Sequence, residues 1–190
     1  MSESPPVTSA RRDELLEGAY AYALEHGIAD LSLRPLATAI GSSPRVLLFL
    51  FGSKDGLMRA LFARARRDEL EMLDRLGERH GDASLPDVAR EVWAWLVAPD
   101  HRPLLTLWLE AYVRSLTEPA GPWSGFARET VEDWLALLAA AQPARVRRTN
   151  RGRAERTLVL AILRGALLDL LASGDDGRTT AAVEEALAVL

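Results

Sequence analysis

The chain has no cysteine among its 190 residues. That single absence removes disulfides, thiolate metal sites and thiol nucleophiles together. Histidine is scarce as well: the three present, His26, His80 and His101, are scattered, and the chain contains no HExxH, P-loop or dinucleotide fingerprint. The sequence therefore reads as a protein that is not an enzyme and that requires no cofactor or metal. No segment approaches eighteen uninterrupted apolar residues, and the opening MSESPPVTSARRDE lacks the apolar core of a secretion signal. These two absences predict a cytoplasmic protein with no membrane partner. Net charge is also small, at -4. The whole-chain field gives no attraction to DNA, and any nucleic-acid binding must rest on a local patch.

What is present is a globular balance, with 48% hydrophobic and 26% charged residues. Apolar residues recur at three- and four-residue spacing nearly throughout, and strand-like alternation is almost missing, so the prediction is an all-α fold of roughly nine helices. The first helix is expected over about 9–26, on the stripe Leu15, Leu16, Ala19, Tyr22 and Ala23, with Gly27 as its stop. A second follows Ser32, whose hydroxyl can cap it, carries Pro35 in its first turn, and ends at Gly41. A third, very short, follows Ser43 with Pro44 at its first position and ends before Gly52. A fourth starts at Ser53 and continues to about residue 76 on Leu57, Leu61, Ala65, Leu70 and Leu73. A polar break over 77–86 and Pro/Gly segments at 99–103, 118–122 and 173–177 separate the later helices, with an arginine-rich loop before the one starting near Ala154.

Residues 33–51 form a capped helix, a tight turn containing Gly41, and a short helix, which is the sequence form of a helix-turn-helix. Such a unit presents the first turn of its second helix to the major groove, here Ser43, Pro44, Arg45 and Val46. Arg45 suits two hydrogen bonds to guanine. Lys54, the only lysine, stands at the next helix start, where a phosphate would lie. Leu15-Leu16, Ala37, Gly41, Ser43-Pro44, Leu47, Phe51, Ser53-Lys54-Asp55 and Leu57 together resemble the N-terminal signature of the TetR family of regulators, over about 11–61. The resemblance implies a DNA-binding domain over residues 1–52, and a helical effector and dimerisation domain over 53–190. It implies a repressor that reads a palindromic operator in double-stranded DNA as a homodimer and releases it when a small molecule binds. Ser32, Arg34, Ser43, Pro44, Arg45, Val46, Phe49 and Lys54 are the expected DNA-contacting residues.

One departure from the family pattern bears on function. Where the family has a tyrosine and a histidine that reach phosphates, this chain has Leu48 and Leu50, inside a wholly apolar run from Val46 to Phe51. Leu47 and Phe51 belong to the core, so some of Leu48, Phe49 and Leu50 must face outward. Contact with thymine methyl groups and weakened DNA binding are both open readings. The second leads to an alternative function, a dimeric ligand-binding or interaction module that has lost its operator. Basic and acidic side chains are about balanced through residue 60, with Glu3, Asp13, Glu14 and Glu17 offsetting Arg11 and Arg12.

The five tryptophans all lie beyond residue 90. Trp95, Trp108, Tyr112 and Trp134 are candidates to line an apolar effector pocket, although large aromatics also build ordinary cores. Glu110 and Arg114, one turn apart, suit a surface ion pair or the orientation of a polar ligand. The run Arg145, Arg147, Arg148, Arg151, Arg153 and Arg156 reads as a mobile solvated loop or an anion site. Residues 158–171 are apolar around much of the helix circumference, so Leu158, Leu163, Leu167 and Leu171 are assigned to dimerisation.

Overall fold

The computed structural model describes residues 7–28, 31–78 and 84–190. These form α1 (Val7–His26), α2 (Leu33–Ala39), α3 (Pro44–Phe51), α4 (Lys54–Glu78), α5 (Leu85–Val97), a 3-10 turn (Pro99–His101), α6 (Arg102–Thr117), α7 (Phe126–Ala140), α8 (Ala144–Arg147), α9 (Asn150–Ser173) and α10 (Asp176–Ala188). No strand occurs among the described residues, as the helical spacing predicts. Glu3, His80 and the centre of the polar break at 79–83 lie outside the described residues. No described helix is long and apolar enough to cross a membrane.

Two compact units divide the chain: Met1–Asp68 with Thr106–Ala127, and Glu69–Leu105 with Arg128–Leu190. This division differs from a boundary after residue 52, because the first half of α4 belongs with the three helices before it. In the first unit Leu15, Leu16, Ala19 and Ala23 of α1 are buried with Leu36 of α2, Leu47 of α3 and Leu57 and Leu61 of α4. Each buried leucine among them contributes about 1.5–3 kcal/mol. Tyr20 rather than Tyr22 completes the α1 stripe: Tyr20 is buried, whereas Tyr22 stacks on His26 with ring centroids 4.0 Å apart. The reason is a partner distant in sequence. The Tyr20 hydroxyl donates to Asp68 Oδ2 at 2.8 Å, so the phenol can be buried without losing its hydrogen bond. Burial, followed by the hydrogen bond to Asp68, raises the Tyr20 phenol far above its ordinary value. Arg64 lies over the Tyr20 ring at 4.7 Å and pairs with both Asp68 and Glu17. Its burial acts to lower its pKa, but the bonds to Glu17 and Asp68 outweigh this and hold the guanidinium charged. This network fastens α1 to α4.

In the second unit α5, α9 and α10 pack on one another. Val88, Val92 and Trp93 meet a core that also contains Val159, Leu163, Leu167, Leu170, Val183 and Leu187, all buried. Trp93 Nε1 donates to Thr180 Oγ1 at 2.9 Å. Ser84 and Asp87 form a reciprocal cap at the start of α5. Arg178 holds Asp169 through bonds of 2.6 and 2.8 Å.

The stripe expected on α4 fails at one position. Glu69 is buried and Leu70 is 38% exposed, since Glu69 continues the i, i+4 row from Ala65 and accepts a hydrogen bond from Trp134 Nε1 at 2.7 Å. The arginine-rich segment is also no loop. Arg145 and Arg147 lie on α8, and α9 begins at Asn150, with the Thr149 hydroxyl accepting from Gly152 N–H at 2.9 Å. Arg147 donates to the carbonyls of Ala140 and Gln142 at 3.1 and 3.2 Å. Arg156 donates to Gln142 Oε1 at 3.1 Å and to the carbonyl of Arg147 at 2.9 Å. Arginines thus satisfy carbonyls that helix ends leave open, and the charge run becomes an ordered helical corner.

Candidate nucleic-acid interface and effector region

The turn between α2 and α3 is set by Gly41, whose φ of +63° other residues rarely adopt. Ser43 follows with extended backbone, and its hydroxyl accepts from Val46 N–H at 3.3 Å, while Pro44 occupies the first position of α3. Ser32 stands at the same place before α2 but makes no side-chain capping bond, contrary to the role its position suggested. Leu47 and Phe51 fix α3 to the core, and Arg12 of α1 lies 4.9 Å over the Phe51 ring. The start of α4 is equally constrained. Ser53 Oγ accepts from Gly56 N–H at 2.9 Å. A Cβ on Gly56 would lie 2.0 Å from the Phe51 carbonyl oxygen, so only glycine lets α3 and α4 approach this closely.

This framework turns Arg45, Val46, Leu48 and Phe49 outward, with Phe49 80% exposed and Leu50 half-buried. Of the remaining candidates, Ser32, Arg34 and Lys54 are exposed, and Ser43 and Pro44 are half-buried at the helix start. Sequence reasoning overlooked Arg59, which is exposed on the second turn of α4. The charges of this unit are sorted. Arg11 pairs with Glu14, and Arg64 with Glu17 and Asp68. Arg34, Arg45, Lys54 and Arg59 have no acidic partner among the described residues. The local balance expected from counting charges therefore conceals a set of free cations on α2, α3 and α4.

Glu110 finds its partner outside its own helix. Its Oε2 accepts the N–H of Ile28 at 2.8 Å, just beyond the end of α1. Gly27, with φ of +73°, makes room, since a Cβ there would lie 3.0 Å from Glu110 Oε1. No local signal could have revealed this contact, whose partners are 82 positions apart. Arg114 meets Glu118 at 3.6 Å and lies over the Trp123 ring at 5.3 Å.

The aromatic candidates do not share one unit. Trp108 and Tyr112 belong to the first, with ring centroids 5.1 Å apart, while Trp95 and Trp134 belong to the second. Trp95 stacks on His101 at 4.1 Å, and Trp134 is buried against Glu69. Within the second unit an open groove of about 490 Å³ runs between α4 and α7, lined by Leu70, Leu73, Asp74, Asp133, Ala136, Leu137 and Ala140.

The leucines assigned to dimerisation fall on different faces of α9. Leu163 and Leu167 are buried in the chain's own core and Leu171 is half-buried, which removes the first two from any outward surface. Leu158 and Leu168 are each 49% exposed. With Ala161, Gly165 and Ala172, also exposed, they form an outward row at alternating three- and four-residue spacing. A Cβ on Gly165 would meet nothing within 4 Å.

No family model matches the chain. It is 32% identical over 183 residues to the HTH-type transcriptional repressor Rv1474c of Mycobacterium tuberculosis, covering 92% of this chain and 89% of that protein. Its fold is similar to that of a transcriptional regulator from Rhodococcus sp. Rha1, with a TM-score of 0.76, 19% identity and 94% of each chain covered. A TetR transcription regulator from Haloarcula marismortui shares the fold with a TM-score of 0.70, 18% identity and coverage of 94% of this chain and 95% of that one.

Proposed function

The chain belongs to the TetR family of helix-turn-helix transcriptional regulators, and we propose that it is a cytoplasmic homodimeric repressor whose α3 reads a palindromic operator. The observation that carries this reading is the sorting of charge. Arg34, Arg45, Lys54 and Arg59 are exposed and have no acidic partner among the described residues, on and beside a short capped helix. A local patch of this kind compensates for an overall charge of -4, because phosphate attraction is screened within about 8–10 Å at cellular salt. The three N-terminal helices together with the start of α4, which carries Lys54 and Arg59, supply the reader, and the rest of the chain carries effector and partner contacts.

Dimerisation through α9 and α10 is supported by the outward row Leu158, Ala161, Gly165, Leu168 and Ala172. Small residues at Ala161, Gly165 and Ala172 let a second helix approach closely, and a two-fold pairing would present two copies of α3 to two half-sites. An apolar small molecule is the effector this reading requires. The groove between α4 and α7, where Leu70, Leu73 and Leu137 lie beside Asp74 and Asp133, supports it.

Arg45 and Lys54 separate the two components of DNA binding. Arg45→Ala should weaken binding to the operator by about 1–3 kcal/mol and relax preference at one base position per half-site. Lys54→Ala should weaken every duplex alike and reduce the salt slope by about one. Anisotropy titrations at several salt concentrations measure both. Identical effects of the two substitutions on operator and scrambled duplex would refute the assignment. The outward apolar residues favour a second reading, a dimeric ligand-binding module without operator recognition. It predicts no binding to either duplex by a folded dimer.

A further inference from the structure

We propose that Phe49, flanked by Val46, reads thymine C5-methyl groups close to the guanine taken by Arg45, so that the apolar run in α3 is a specificity device. The inference rests on the assignment of α3 to DNA and adds the base chemistry it selects. Phe49 is 80% exposed, Leu48 41% and Val46 38%, on a helix whose Leu47 and Phe51 are buried and whose Leu50 is half-buried. Arg45 and Phe49 are one turn apart and form the crest of the outward face, with Val46 on one flank and Leu48 on the other.

A phenyl ring this exposed is costly in water unless a partner covers it. The partner must also suit the exposed cations of the same unit: Arg34 on α2, Arg45 on α3, and Lys54 and Arg59 on α4, none with an acidic partner among the described residues. A polyanion with apolar features on its surface satisfies both demands. In duplex DNA those features are the thymine methyl groups of the major groove, which apolar side chains recognise there. Arg45 and Phe49 are separated by about 6 Å along the helix axis, from a rise of about 1.5 Å per residue. That is close to two base-pair steps of about 3.4 Å. The methyl groups should therefore lie within about two base pairs of the guanine.

The test removes the methyl group from the DNA, which leaves the protein untouched. A duplex is recovered by binding the full chain to a randomised pool, then resynthesised with deoxyuridine in place of each thymidine in turn. Affinity should fall about four-fold for each contacted methyl, on a burial value of about 0.8 kcal/mol per such group. The sensitive positions should cluster within about two base pairs of the one affected by Arg45→Ala. Phe49→Ala should bind less tightly and lose the sensitivity to uracil, while retaining wild-type helicity because the ring is not part of the core. Specific binding indifferent to uracil at every position overturns this proposal and leaves the assignment of α3 intact. So does uracil sensitivity that persists in Phe49→Ala. Failure to enrich any sequence overturns the assignment of α3 and this proposal with it.

Discussion

Removing the Glu110 carboxylate should loosen the end of α1, from which the chain leads into the helix-turn-helix. Glu110 Oε2 accepts the N–H of Ile28 at 2.8 Å. Ile28 itself is 3% exposed, so its amide has little access to water once the acceptor is gone. A hydrogen bond to a charged acceptor contributes about 1.5–3 kcal/mol, and the partial exposure of this one points to the lower end. Glu110→Ala should therefore cost about 1–2 kcal/mol, and Glu110→Gln, which keeps an acceptor without the charge, about half of that. Gly27→Ala adds a second arm. Its φ of +73° strains any L side chain, and its Cβ would crowd Glu110 Oε1 at 3.0 Å. The strain alone costs about 1–2 kcal/mol. The crowding, but not the strain, should vanish in the Glu110→Ala background, so the two substitutions combined should cost less than their sum. Urea denaturation of the five proteins measures this, with a melting shift of about 2–4 °C per kcal/mol as a check for a chain of this size. Equal stability of wild type and Glu110→Ala would refute the reasoning, as would a Gln variant no better than the Ala variant.

Three further outcomes follow from the geometry. Leu163→Ala should destabilise the protomer by about 2–5 kcal/mol, because the side chain is 1% exposed, whereas Leu168→Glu should leave helicity intact and shift sedimentation toward monomer. The reverse pattern would exchange the two faces of α9. Trp134→Phe should cost about 1.5–3 kcal/mol through the bond to buried Glu69, read from the denaturation midpoint, and an unchanged midpoint would show the bond to be dispensable. Asp169 is held below its ordinary range by hydrogen bonds from Arg178, and Asp87 by those from Ser84. A carboxylate depressed in the folded state stabilises fully above its unfolded value, about 3.9, and loses that contribution as pH falls through the folded value. Asp169→Asn should therefore lower stability across the neutral region, converge on wild type at low pH and so flatten the acid limb of a stability-versus-pH curve below about pH 4, and an acid limb unchanged from wild type would refute this.

Much of the fold was legible because helices write their period into the chain. The start of α3 is encoded by Ser43 and Pro44 and its inner face by Leu47 and Phe51, four adjacent signals that agree. What was not legible depends on partners far away in sequence. Tyr20 and Tyr22 fit the α1 stripe about equally, and only Asp68 decides which is buried. Glu69 enters the core in place of Leu70 because Trp134 waits for it. The apolar circumference of α9 indicated burial on more than one side, but not that Leu163 and Leu167 face the protomer's own core while Leu158 and Leu168 face out. In the candidate interface Arg34, Arg45 and Lys54 were visible one by one in the sequence, and Arg59 was not. Their freedom from acidic partners emerged only when Arg64 was seen to gather Glu17 and Asp68.

Sequence-specific DNA binding by the wild-type chain is the most direct test of its function as a TetR-family repressor. An anisotropy titration across several salt concentrations would compare the duplex upstream of its own gene with a scrambled duplex of equal length and composition. Binding should be tighter to the upstream duplex at every salt concentration, with affinity for both falling linearly in log–log form as counterions compete for the phosphates. A folded, dimeric protein that binds neither duplex even at low salt would contradict that function.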